Sequence, residues 1–167
     1  MLPPIYRERV EKGSQQMIAR KGVVDGKKES RAMVEIYLKS SSRIFSGDLL
    51  GRLESGWTEV FELLQKIGVG LISGMETIEV TLLDDEEMAR LHGEFLADAT
   101  TTDVITFDHG ELLIGVETAG RQAVEFQTSA EREIALYGIH GMHHLAGFDD
   151  HDPAQAQAMA ARQEELF

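Results

Sequence analysis

Asp103-Val104-Ile105-Thr106-Phe107-Asp108-His109-Gly110-Glu111-Leu112-Leu113-Ile114-Gly115-Val116 reads as two strands joined by a turn. Each run is rich in β-branched and large apolar residues, and Asp-His-Gly between them supplies the chemistry of a tight hairpin connection. Upstream, Val34-Glu35-Ile36-Tyr37-Leu38 and Thr77-Ile78-Glu79-Val80-Thr81-Leu82 alternate with period two, as half-buried strands do. Between those strands Ser46-Gly47-Asp48 leads into Leu49, Leu50, Leu53, Trp57, Val60, Phe61, Leu64 and Ile67 at spacings of mostly three or four, and Gly68 closes the run. That is an amphipathic helix with a start and a stop. Asp84 and Asp85 cap a shorter helix with Met88, Leu91 and Phe95 inward. Glu117 to Gln127 is a polar connection, after which Thr128 and Glu131 have capping-box spacing and open a helix running toward Gly147. Asp152-Pro153 starts a last helix. The order β-α-β-α-β-β-α-α, without internal repeats, predicts one α/β (α+β) domain with a central mixed sheet of about four strands and flanking helices.

Composition narrows the function classes. The 167 residues carry 16 Lys plus Arg against 29 Asp plus Glu, a net charge of −13, with no cysteine. Disulfide scaffolds and cysteine-based zinc modules are excluded. No apolar run approaches the ~18 residues of a membrane span, and Met1-Leu2-Pro3-Pro4 opens no leader, so the expectation is a soluble, cytoplasmic protein with no membrane partner. The charge is uneven: residues 1–32 hold eight Lys/Arg and four acids, leaving +4, and the other 135 residues carry −17. With Pro3-Pro4, Gly13, Gly22 and Gly26 and little apolar periodicity, 1–32 reads as a basic, disordered N-terminal arm ahead of a domain at 33–167. A body of that sign repels phosphate and opposes non-specific nucleic-acid binding.

The chemistry-bearing stretch is His140-Gly141-Met142-His143-His144-Leu145-Ala146-Gly147-Phe148-Asp149-Asp150-His151. Residues four apart stack on one helix face, so His140 and His144 can offer two imidazole nitrogens to one ion, while His143 points about 100° away. Gly147 ends the helix and lets the chain turn back, so that a residue from 149 to 151 can supply a third ligand. Three protein ligands and one open position are what a water-activating zinc needs. A solvated helix end, with cationic histidine complementing the dipole, would explain the histidines but not Gly138, Gly141 and Gly147 around them. Gly141 stands where a His-Glu-x-x-His protease has its general base, which weakens a peptidase reading. A base must come from elsewhere, and Asp149, His143 or the unused member of the Asp150/His151 pair are the candidates.

These residues resemble the YbeY family of bacterial metal-dependent endoribonucleases. The family motif H-G-x-x-H-L-x-G-Y-D-H is matched by His140, Gly141, His144, Leu145, Gly147, Phe148 in place of Tyr, and Asp149. A second block is matched by Leu91, Phe95, Leu96 and Thr102 to Phe107, and Gly110-Glu111-Leu112-Leu113-Ile114 falls where the family has its next strand. The resemblance spans roughly 33–167 and implies a metzincin-like HxxxH zinc-site helix holding one Zn²⁺ per chain. It implies cleavage of single-stranded RNA, with the small ribosomal subunit as partner, in 3′-end maturation of small-subunit ribosomal RNA and in ribosome quality control; DNA is not expected.

Three departures qualify it. The family's third histidine falls on Asp150, giving the ligand set His140, His144 and Asp150, with His151 the alternative; a carboxylate is an acceptable zinc ligand. Leu96 stands where an Arg is frequent, removing a phosphate clamp, and His92 replaces an Asn. Two other readings compete: a non-catalytic ribosome-biogenesis module in which metal only clips helix to loop, and a metallohydrolase of another phosphoester or an amide.

Overall fold

The computed structural model describes Gln16–Met17, residues 32–67 and residues 70–148. Its elements are β1 (Gln16–Met17), β2 (Met33–Lys39), α1 (Gly47–Ile67), a 3₁₀ turn (Leu71–Gly74), β3 (Thr77–Leu83), α2 (Asp85–Leu96), β4 (Val104–Phe107), β5 (Glu111–Gly115), α3 (Val116–Phe126) and α4 (Ala130–Leu145). The strands form one mixed sheet in the order β1-β2-β3-β5-β4. β2, β3 and β5 run parallel, β4 closes a hairpin antiparallel to β5, and β1 adds two residues antiparallel to β2. The mixed sheet with flanking helices is therefore as expected, and Gln16–Met17 brings part of the basic arm onto its edge.

Register follows from alternation. Val34 pairs with Ile78, Ile36 with Val80, Val80 with Leu112 and Leu82 with Ile114, so the apolar positions line up in rows on one face. Against them pack Leu49, Leu50, Leu53, Trp57, Val60, Phe61 and Leu64 of α1, and Ile134, Tyr137, Ile139, Met142 and Leu145 of α4. α2 covers part of the opposite face, where Met88 and Leu91 meet Leu83, Ile105 and Leu113 with Phe95 and Phe107 at the margin. No residue of β2 belongs to that second cluster.

The helix starts differ from the spacing-based expectation in three places. α1 begins as read, with Ser46 Oγ accepting from the Leu49 N–H at 3.1 Å. Asp84 sits at the N-cap of α2 but turns its carboxylate outward, accepting from Ser40 Oγ, from the Ser41 N–H at 3.0 Å and from Ser41 Oγ at 3.0 Å. The Asp85 N–H is met instead by Glu117 Oε2 at 2.7 Å. Glu117 to Gln127 is not a polar connection: Val116–Phe126 is a helix burying Val116, Ala119 and Ala123. The cap of α4 is Ser129 rather than Thr128, with Ser129 Oγ accepting from the Arg132 N–H at 3.2 Å. Thr128 is bonded to the carboxylate of the buried Glu133. The helix expected from Asp152 lies outside the described residues.

Among the described residues no helix is long and apolar enough to cross a membrane.

Candidate functional site

α4 is pressed onto α1 and onto the sheet because two of its residues have no side chain. A Cβ on Gly138 would stand 2.3 Å from Trp57 Cε2, and one on Gly141 would stand 2.8 Å from Leu112 Cδ2 and 2.9 Å from Thr106 Oγ1. The glycines cost helix propensity, ~1 kcal/mol each relative to alanine, and in return allow contacts no larger residue permits. The indole of Trp57 is anchored by its N–H to the Ala135 carbonyl at 3.0 Å.

The C-terminal end of α4 is closed by a Schellman motif. Gly147, at φ +83°, takes the left-handed position; its N–H donates to His144 O at 2.9 Å and the Phe148 N–H donates to His143 O at 3.0 Å. Gly70, at φ +69°, lies directly against this end: a Cβ there would be 2.4 Å from the Ala146 carbonyl carbon. The helix therefore stops one residue beyond His144, as Gly147 predicted.

On that last turn His140 and His144 come together, with their Nε2 atoms 3.0 Å apart and their rings edge to face at 4.6 Å between centroids. Two imidazole nitrogens at this separation can both reach one ion at the usual Zn–N length of ~2.0–2.1 Å, with a nitrogen–metal–nitrogen angle of roughly 95°. The pair thus fits two positions of a zinc coordination sphere. Among the described residues no group of three His, Cys, Asp or Glu gathers around a common point. Asp149, Asp150 and His151 lie outside the described residues.

His143, one of the candidate bases, lies inside the fold. It is fully buried, its Nδ1 lies 2.8 Å from the Ile139 carbonyl, to which it can only donate, and its ring packs 5.5 Å from Phe148. The bond to the Ile139 carbonyl fixes the orientation of this ring at the helix end. His92 is half-buried and its Nδ1 donates to the Thr100 carbonyl at 2.9 Å, tying α2 to the loop ahead of β4. Leu96 is exposed at the end of α2.

Two arginines, Arg90 and Arg121, are paired with carboxylates. Arg90 forks onto Glu87 at 2.8 Å and reaches Glu94 at 2.8 Å. Arg121 holds Asp85 at 2.5 and 3.2 Å and also touches Thr118 and Thr101. The hydrogen bonds it donates to Asp85, outweighing partial burial, hold the Arg121 guanidinium above its ordinary value.

Two hydroxyls escaped the reading of the sequence. Thr106 Oγ1, beneath Gly141, and the Tyr137 hydroxyl, one turn before His140, are buried without a hydrogen-bond partner among the described residues. Burial first, then the fields of Asp103 and Glu133, raise the Tyr137 phenol above its ordinary value. Nothing in the sequence distinguishes them from ordinary core positions, because their state depends on which helix lies across the strand.

The profile of the family described as Endoribonuclease YbeY matches residues 52–167. Relatives bearing that name include a Heliobacterium modesticaldum protein, 32% identical over 128 residues that cover 64% of this chain and 76% of the relative. One from Desulfitobacterium hafniense is 31% identical over 139 residues, covering 72% and 85%. A Myxococcus xanthus relative is 35% identical over 109 residues, 58% of this chain but only 37% of its own length. In structure, the chain is similar to TM1509 from Thermotoga maritima, solved in solution, with a TM-score of 0.57 and 26% identity over 80% of this chain and 86% of that one. With its sheet order, its glycine-lined helix and its paired histidines in the matched region, the chain belongs to the endoribonuclease YbeY family.

Proposed function

We propose that this chain is a zinc-dependent endoribonuclease that cleaves single-stranded RNA, acting in 3′-end maturation and quality control of small-subunit ribosomal RNA. The observation that carries it is the convergence of His140 Nε2 and His144 Nε2 at 3.0 Å on the last turn of α4, in a chain of the endoribonuclease YbeY family. His140 and His144 would hold the ion with Asp150, or with His151 in its place. Bound there, the ion would polarise a phosphodiester oxygen or water and disperse charge in the transition state, an effect worth several kcal/mol.

The chain's own part is positioning. Gly138 and Gly141 bring α4 down onto Trp57, Leu112 and Thr106, which fixes the axis from which both imidazoles project. The bond from Gly147 N–H to His144 O holds the second histidine's backbone at the helix stop. Asp149, His143 and the unused member of the Asp150/His151 pair are the candidate bases or imidazole-orienting groups.

Electrostatics sets how substrate arrives. Arg90 and Arg121 are already committed to Glu87, Glu94 and Asp85, in a chain of net charge −13. Affinity for free RNA is therefore weak and salt-sensitive, and productive cleavage needs the strand delivered by a partner such as the small ribosomal subunit.

The test is metal analysis together with cleavage of single-stranded RNA by wild type and by the His144→Ala, Asp150→Ala and His151→Ala variants. One zinc per chain and cleavage abolished by His144→Ala are expected. A metal-free wild type would remove the proposal. Retention of zinc by Asp150→Ala with its loss in His151→Ala would move the third ligand to His151.

A further inference from the structure

β4 is the last strand of the sheet and pairs with β5 on one side only. Which of its backbone groups face the other side follows from two bonds at its ends. The Gly115 N–H donates to Asp103 O at 2.8 Å, and the Gly110 N–H donates to Phe107 O at 2.9 Å across the hairpin. In an antiparallel ladder alternate residues turn their groups to alternate sides, so Asp103, Ile105 and Phe107 face β5 while Val104 and Thr106 face outward. The Val104 N–H obeys this, donating to Asp103 Oδ1 at 2.8 Å instead of to the ladder. Val104 O, Thr106 N–H and Thr106 O are left in a row, with no hydrogen bond to them among the described residues.

Edges of this kind are ordinarily closed by lysine, proline or a covering segment, because a second chain can add to them. Val104-Ile105-Thr106-Phe107 contains neither lysine nor proline. Its side chains are already engaged: Val104 against the cluster of α1 and α4, Ile105 and Phe107 against that of α2, and Thr106 beneath Gly141. What the edge offers a ligand is therefore main chain, and such donors and acceptors are matched by another extended peptide. Charge selects its sign. Between Arg90 and Arg121 there is no Lys or Arg, whereas Glu94, Asp98, Asp103, Asp108, Glu111 and Glu117 all lie there. The two flanking arginines are held by Glu87, Glu94 and Asp85. A phosphate backbone is repelled from such a border and a cationic peptide is attracted to it.

The edge also adjoins the imidazole pair. α1 packs on β2, and α4 on β4 and β5. Gly138 faces Trp57 of α1 and Gly141 faces Thr106. At about 100° per residue, His140 and His144 lie on the other side of Gly141 from Gly138, away from α1 and toward the β4 end of the sheet.

We propose that the β4 edge is a docking site for an extended, lysine- or arginine-bearing segment of a partner protein, which adds to Val104–Phe107 as one further strand. Thr106 N–H and Thr106 O exchange bonds with its main chain, and Val104 O accepts another. The added strand sets cations beside the imidazole pair, where residues 91–120 supply no Lys or Arg. The docking is read by binding and not by cleavage, so it stands or falls apart from the zinc and RNA readings.

The probe is a short capped peptide of alternating lysine and valine, added to the full-length protein. In the free protein the Thr106 amide is expected to exchange rapidly with deuterium, while that of Ile105, bonded to β5, is protected. Saturating peptide should slow Thr106 exchange about tenfold or more. The same peptide N-methylated at every peptide bond keeps its charge but has no donor, and should bind about tenfold more weakly. Thr106→Pro removes the outward donor without costing a β4–β5 bond, and should weaken the peptide likewise with an unfolding midpoint close to that of wild type. If that variant misfolds, exchange and N-methylation on wild type decide. Slow Thr106 exchange without peptide, or equal affinity of the N-methylated peptide, overturns the proposal. So does protection of Thr106 by single-stranded oligouridylate in place of the peptide, which would make the occupant nucleic acid.

Discussion

The indole of Trp57 stands in the space a side chain at Gly138 would need: a Cβ there would lie 2.4 Å from Nε1 and 2.3 Å from Cε2. Trp57 is itself buried and hydrogen-bonded to the Ala135 carbonyl, so it has nowhere to go. Alanine in place of this glycine gains about 1 kcal/mol of helix propensity, but overpacking a filled core costs typically 1–3 kcal/mol, and here two anchored groups collide. Gly138→Ala is expected to destabilise by about 2 kcal/mol net, lowering Tm by roughly 4–8 °C, as checked by urea and thermal unfolding.

Gly141→Ala should behave differently. Its neighbours are the end of the Leu112 side chain and the Thr106 hydroxyl, which yield more easily than an indole. The expected loss of stability is about 1 kcal/mol. Because the displaced backbone lies between His140 and His144, zinc affinity should fall disproportionately, and Thr106→Ala in the same chain should restore part of it. Titration against a zinc-buffered indicator reads both.

Removing the metal should leave the fold standing. The end of α4 is held by Gly70, by the Gly147 and Phe148 N–H bonds and by the buried Leu145, none of which involves an imidazole nitrogen. Chelation, or His144→Ala, is expected to shift Tm by no more than a few degrees while abolishing RNA cleavage. Collapse of the structure on chelation would instead favour metal as a structural clip.

Asp84 gives an acid-side signature. Burial would raise its pKa, but the hydrogen bonds from Ser40 and Ser41 prevail and hold the carboxylate below the ordinary aspartate value. A depressed folded-state pKa contributes stability above the unfolded value near ~3.9, lost as pH falls through the lower folded value. Ser40→Ala/Ser41→Ala should therefore cost about 1–2 kcal/mol at pH 6, with the gap to wild type narrowing as the solution is taken below pH 4. A pH-independent gap would assign the serines a packing role.

Much of this architecture could be read along the chain because its signals are local. Period-two runs became β2, β3, β4 and β5, the Leu–Trp–Phe stripe became α1, and His140, His144 and Gly147 fell where helical spacing put them. α3 was missed because its inner face is built from the small residues Ala119 and Ala123, with Gly120 between them, while its large apolar residues Val124 and Phe126 point outward. Size, and not only polarity, carries the periodic signal. Thr128 has the capping-box spacing to Glu131, but the backbone starts the helix one residue later, at Ser129, and Thr128 is drawn away to Glu133. The position of β5 between β3 and β4 is a tertiary property with no local sign.

Gly70 and Ala146 are 76 positions apart in sequence, yet backbone meets backbone there with no room for a methyl group. The last turn carrying His140 and His144 is thereby bolted to the segment that feeds β3, the middle strand of the sheet. Tilting that turn would require sliding the centre of the domain. The imidazole pair is thus preorganised: its spacing is set by folding, before any ligand arrives, and binding need not spend free energy assembling it.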